Sequence, residues 1–92
     1  MIESFKHKVL KKLYEKGDRR GLRTDIAKKA ELYLSILDTA SNVEELNITG
    51  FSLHPLTGNL RGFYSVFLSR NHRMIFRFHE GNVFDVDLVD YH

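Results

Sequence analysis

The sequence has no cysteine and only one proline in 92 residues, and no apolar run approaches the roughly 18 residues that a membrane span requires. The first absence excludes disulfides, thiolate metal sites and cysteine nucleophiles. With one proline, no repeat and no low-complexity tract, nothing reads as a linker, so residues 1–92 are expected to form a single domain. No signal-peptide hydrophobic region occurs near the start. The expectation is a soluble cytoplasmic protein with no membrane partner. The six glycines do not gather into a phosphate-binding loop, and there is no G-x-S-x-G to anchor serine hydrolase chemistry. Histidines stand at 7, 54, 72, 79 and 92, but no pair has helical i, i+4 spacing and there is no H-E-x-x-H. Neither a metal nor a cofactor is expected. A chain this short buries roughly 60–70% of its unfolded surface, so an active site would be a shallow surface groove.

The net charge of +2 is small but unevenly placed. Residues 1–29 carry ten basic side chains against four acids, a local net of +6, whereas residues 30–60 have four acids and no Lys or Arg. A basic N-terminal lobe on a nearly neutral chain suits a polyanion, nucleic acid above all; it also suits a solvated helix face. Lys8, Lys11, Lys12, Arg19, Arg20 and Arg23 are the candidates for contact with nucleic acid.

Local pattern predicts an α+β fold, with two N-terminal helices packed on one face of a small, mainly antiparallel sheet. An extended start through Ile2 and Phe5 runs into a helix over 7–16, ended by Gly17 as a left-handed cap. Thr24 reads as the N-cap of a second helix over about 25–40, with Asp25 in its first turn and an apolar stripe of Ile26, Ala30, Tyr33, Leu34 and Leu37. Beyond residue 50 the period falls to two. Strands are expected near 61–69, 74–78 and 83–89, the last ending at Asp90-Tyr91. Gly58–Gly62, Arg70–His72 and Glu80–Asn82 read as turns. The strand phenylalanines (63, 67, 76, 78 and 84) are expected mostly in the core, and His7 and His79 on the surface.

Three stretches carry a resemblance: Leu53-His54-Pro55-Leu56-Thr57-Gly58-Asn59-Leu60-Arg61-Gly62, Asn71-His72-Arg73-Met74-Ile75-Phe76-Arg77, and Asp85-Val86-Asp87-Leu88-Val89-Asp90-Tyr91-His92. Together with Ile2-Glu3-Ser4-Phe5 and Leu37-Asp38-Thr39-Ala40, they resemble the HigB branch of the RelE-like toxins, the plasmid-maintenance killer proteins, over essentially the whole chain. The resemblance implies a RelE-like fold and a ribosome-dependent endoribonuclease that cuts mRNA in the ribosomal A site. It also implies a HigA-type helix-turn-helix antitoxin, through which alone the toxin would meet operator DNA. Carried over by position, the catalytic residues of the family fall on His54, Asp90, Tyr91 and His92, and Arg73 matches the basic residue beside the scissile phosphate. Thr57 departs from the pattern, because many members have lysine there. If that lysine binds the message, affinity is affected and the reaction type is not.

These residue types suit metal-independent RNA cleavage. A base must take the proton of the 2′-OH, an acid must protonate the departing 5′-oxygen, and a cation must stabilise the phosphorane. Two imidazoles, with an ordinary pKa near 6.5, suit the first two tasks, and the guanidinium fork suits the third. Asp90 can orient an imidazole, and Tyr91 can stack on a base. The products would be a 2′,3′-cyclic or 3′-phosphate and a 5′-hydroxyl. Each residue also has a plainer structural reading. His54 can close a turn before Pro55, Asp90 and Tyr91 can end a strand, His92 can be an idle terminal residue, and Arg73 and Arg77 can blunt sheet edges. A non-catalytic RNA-binding or ribosome-binding module, or an inactive scaffold that only holds its antitoxin, therefore stands beside the nuclease.

Overall fold

The computed structural model describes residues 1–90. Helix α1 (Lys8–Lys16) starts at His7, whose Nδ1 accepts the Leu10 N–H at 3.2 Å. His7 is thus a helix cap and not merely a surface residue. Gly17 ends α1 at φ 66°, its N–H donating to the Leu13 carbonyl. Its missing Cβ matters only for the backbone, because open space surrounds the position. Helix α2 spans Thr24–Thr39. The cap falls on Arg23, which makes no side-chain capping bond, so Thr24 is the first helical residue and not the cap.

The sheet has four antiparallel strands in the order β1 (His54–Pro55), β2 (Phe63–Ser69), β3 (His72–His79) and β4 (Asn82–Asp90). The two-residue β1 precedes the Gly58–Gly62 turn, which contains a 3-10 turn over Gly58–Leu60. Its pairing, His54 with Ser65 and Pro55 with Tyr64, converts that turn into the tip of a hairpin. On the far edge the N-terminal segment runs parallel to β4, bridging Ile2 to Val83 and Phe5 to Val86. It covers an edge that would otherwise offer unpaired backbone groups.

Alternation sorts the side chains between two faces. Val66, Leu68, Met74, Phe76, Val83 and Val86 join Leu10, Leu13, Ala30, Leu34 and Leu37 of the helices in one core. The segment before β1, which has no clear period, supplies two further anchors, Leu46 and Phe51, with the Phe51 ring 4.2 Å from that of Tyr33. The other face is open to solvent. Cross-strand rows there read Phe67–Arg73–Val89, His54–Ser65–Ile75–Asp87 and Phe63–Arg77–Phe84. Of the five strand phenylalanines only Phe76 is fully buried. Phe78 packs against the core from its edge, while Phe63, Phe67 and Phe84 line the open face because register, not hydrophobicity, decides the side.

Two irregularities shape that face. The register shifts between Phe67 and Ser69 in β2, and again between Ile75 and Arg77 of β3 against β4. At the second shift Asp85 stands at φ 56°, the extra residue of a bulge, which sharpens the local twist. Among the described residues no helix is long and apolar enough to cross a membrane.

Candidate active site on the open sheet face

His54 and Arg73 meet in one groove of about 410 Å³, lined also by Leu56, Leu60, Ser65, Ile75 and Val89. Each wall has a local cause. β1 brings His54 opposite Ser65, and the Leu56 N–H to Phe63 carbonyl bond at 2.8 Å holds the hairpin closed behind it. His54 is exposed, whereas Ser65 and Ile75 on the floor are buried. Arg73 is half-buried on β3, with its guanidinium carbon 5.9 Å from the centre of the Phe67 ring. The same ring carries Lys29 Nζ at 5.2 Å, reaching over from α2. An imidazole and a guanidinium therefore share a shallow, mostly apolar cleft, the setting in which a fixed cation acts most strongly on a phosphate.

Asp90 is placed differently. It is exposed and pairs with His72, one residue beyond Val89, which lines the groove. Alternation therefore directs it to the helix-bearing side of the sheet, away from His54 and Arg73. His72 itself is held by Ser69, Oγ to Nδ1 at 2.9 Å. Tyr91 and His92 lie outside the described residues. Among the described residues no group of three or more His, Asp or Glu side chains is gathered around a possible metal position.

The basic lobe stands on the other side of the molecule. Leu10 and Leu13 turn one stripe of α1 into the core, which leaves Lys8, Lys11 and Lys12 exposed on its outer surface. The three arginines are engaged within the chain: Arg19 with Glu31, Arg20 with Asp18 at 2.8 Å and Arg23 with Asp25 at 2.7 Å. Hydrogen bonds from Arg20 hold the Asp18 carboxyl well below the usual carboxylate range, and Arg23 lowers Asp25 in the same way. Two of the ten basic residues of the N-terminal lobe, Lys6 and Lys29, reach the open face instead, as does Arg77, expected as an exposed strand charge, and each lies over a ring there. The available signal was the spacing of two between Phe63, Ser65 and Phe67, matched by Arg73, Ile75 and Arg77.

The family model for the RelE-like toxin HigB of type II toxin-antitoxin systems matches residues 3–92. The chain is 39% identical over 92 residues to the Endoribonuclease HigB of Proteus vulgaris, covering 100% of both chains. Two solved YoeB-YefM toxin-antitoxin complexes from Staphylococcus aureus share the fold. One superposes with a TM-score of 0.67 at 18% identity, covering 100% of this chain and 95% of that one. The other superposes with a TM-score of 0.66 at 17% identity, covering 100% and 98%.

Proposed function

Because the chain belongs to the HigB-like family of RelE-like toxins of type II toxin-antitoxin systems, we propose that it is an endoribonuclease that cuts mRNA on the ribosome. The observation that carries this reading is the groove joining His54 to Arg73 on a solvent-facing sheet, with Val89 of β4 in its lining. Arg73 binds the scissile phosphate and takes up the charge that grows on its oxygens. His54 and His92 divide the two proton transfers, one accepting from the 2′-OH and the other donating to the leaving 5′-oxygen. Asp90, turned from the groove, serves as a positioning residue for an imidazole, and Tyr91 supplies a stacking surface. Attack by the 2′-oxygen forms its bond to phosphorus as the bond to the 5′-oxygen breaks, so no metal-activated water is needed. The exposed lysines of α1 hold ribosomal RNA. A HigA-type antitoxin, encoded beside the chain, restrains it by forming a complex.

End-group mapping of message cleaved by ribosomes with the purified protein tests the reading. Discrete cuts ending in 2′,3′-cyclic or 3′-phosphate and 5′-hydroxyl groups are expected. Cuts ending in 3′-hydroxyl and 5′-phosphate would replace this chemistry with hydrolysis by an activated water. Uncut message in the presence of folded protein would leave only a binding module or an inactive scaffold.

A further inference from the structure

The third row of the open face is built differently from the groove. Arg77 Cζ lies 6.0 Å from the centre of the Phe63 ring and 5.9 Å from that of Phe84, so the guanidinium stands between two phenylalanines. Asp85 accepts from its Nε at 2.9 Å and contacts Nη2 at 2.8 Å, which leaves Nη1 for another acceptor. Lys6 Nζ lies 5.3 Å from the Phe63 ring on the same patch. Beside it a depression of about 440 Å³ is lined by Arg61, Arg77, His79 and Phe84. The Arg77 side chain keeps half of its surface in solvent.

Protein stability gives no sufficient reason for this arrangement. An exposed ion pair contributes little, and two half-exposed phenylalanines bury less apolar surface than the same residues would in the core. The strand makes its bulge at this point, with Asp85 at φ 56° and fixed by Ser4, whose Oγ accepts the Asp85 N–H at 2.9 Å. The bulge sets the carboxylate on the guanidinium edge and so holds its plane between the rings. A planar cation flanked by rings, with Lys6 and Arg61 nearby and the Asp85 carboxylate along one edge, is complementary to a nucleotide. The base stacks on ring or guanidinium, and the phosphate meets the cations.

We infer that Arg77, Phe63 and Phe84 form a second nucleotide subsite, binding single-stranded RNA beside the scissile position held by His54 and Arg73. Arg77 lies four residue steps along β3 from Arg73, about 13 Å at the rise of an extended strand, a span that an extended RNA crosses within a couple of nucleotides. The rows of one sheet face thus lay a continuous track for the strand. This deepens the proposed function and rests on it, because it takes the strand being cut as the ligand.

The test is equilibrium binding of single-stranded RNA made non-cleavable by 2′-O-methyl groups, in a long form and in a dinucleotide form that fills only the groove. Phe84→Leu should weaken the long RNA about tenfold, the range for losing one stacked base, and leave the dinucleotide unaffected. Arg77→Gln should weaken the long RNA and flatten its salt dependence by about 0.7 in log–log slope, the contribution of one phosphate on a single strand. A role in folding alone would lower the melting temperature without changing that slope. If the wild type cleaves message while both folded variants bind long RNA with wild-type affinity and slope, the subsite is overturned and the nuclease reading stands. If the wild type neither binds nor cleaves RNA, both fall together. Unaltered RNA binding with loss of antitoxin capture would also overturn the subsite, assigning the patch to a protein partner.

Discussion

Lysine and arginine do different work at position 73. The guanidinium must lie across the Phe67 ring and still present a fork to a phosphate, which a flexible ammonium cannot do. Arg73→Lys is therefore expected to slow single-turnover cleavage of ribosome-bound message by at least about tenfold, and Arg73→Gln by about 10²–10³-fold. The melting temperature should stay close to that of the wild type, since the groove is at the surface. His54 is exposed and carries no packing that the core depends on, so His54→Ala should cost about 10²–10⁴ in rate and little stability. Removal of His92 should slow cleavage at least about a hundredfold. The double variant should lose less than the two separate losses combined if the imidazoles act as a unit. Full-rate cleavage by a folded 1–91 chain would assign the proton transfer given to His92 elsewhere and leave His54 and Arg73 as the candidates.

At the level of elements, Asp38 near the end of α2 ties three parts together. Its Oδ1 accepts the Ile2 N–H at 3.0 Å and the Tyr14 hydroxyl at 2.8 Å, linking the N-terminal edge segment, α1 and α2. Those two bonds hold the Asp38 carboxyl below the ordinary carboxylate range, the backbone donor being the larger cause. A carboxyl depressed in the folded state contributes stability above its unfolded value, about 3.9, and loses it as the pH falls through the lower folded value. Urea unfolding should show Asp38→Asn less stable than the wild type at pH 6, with the difference closing towards pH 3. A constant difference would mean that shape, not charge, matters there. The elements near Asp38 are also the ones that the sequence makes legible. A 3.6-residue period, a glycine stop and period-two strands give both helices and three of the four strands. The short β1 was hidden, because two residues carry no period and Pro55 reads as a turn signal; only pairing with Ser65 and Tyr64 makes it a strand. The sequence pattern puts the N-cap at Thr24, whereas the structure puts it at Arg23, a residue that makes no side-chain capping bond and so gives no cap signal. His54 and Arg73 could be named from the resemblance, but their shared groove depends on strand register. The same register explains why Phe63, Phe67 and Phe84, apolar enough for a core, face solvent.

Taken whole, the molecule separates its charges by face. The lysines of α1 project from the helical side, whereas the groove and its neighbouring cations occupy the open sheet. A triple change of Lys8, Lys11 and Lys12 to Glu should therefore lower ribosome co-sedimentation most at low salt, with the gap from the wild type narrowing as salt is added. Saturating single-turnover rates should stay near those of the wild type, so the loss falls on KM. A loss confined to kcat would mean that these lysines reach the reacting strand. The N-terminal segment alongside β4 has a consequence for timing. The Glu3 N–H donates to the Val83 carbonyl at 2.7 Å and the Lys6 N–H to the Val86 carbonyl at 2.8 Å, and the Asp85 N–H to Ser4 Oγ bond closes a separation of 81 residues. The N-terminal segment thus has no place to dock until β4, some 81 residues further along the chain, has formed. Contacts this distant in sequence form slowly. A chain in which β4 has not paired accordingly keeps its sheet unfinished, and the open face, whose rows all end on that strand, is assembled last.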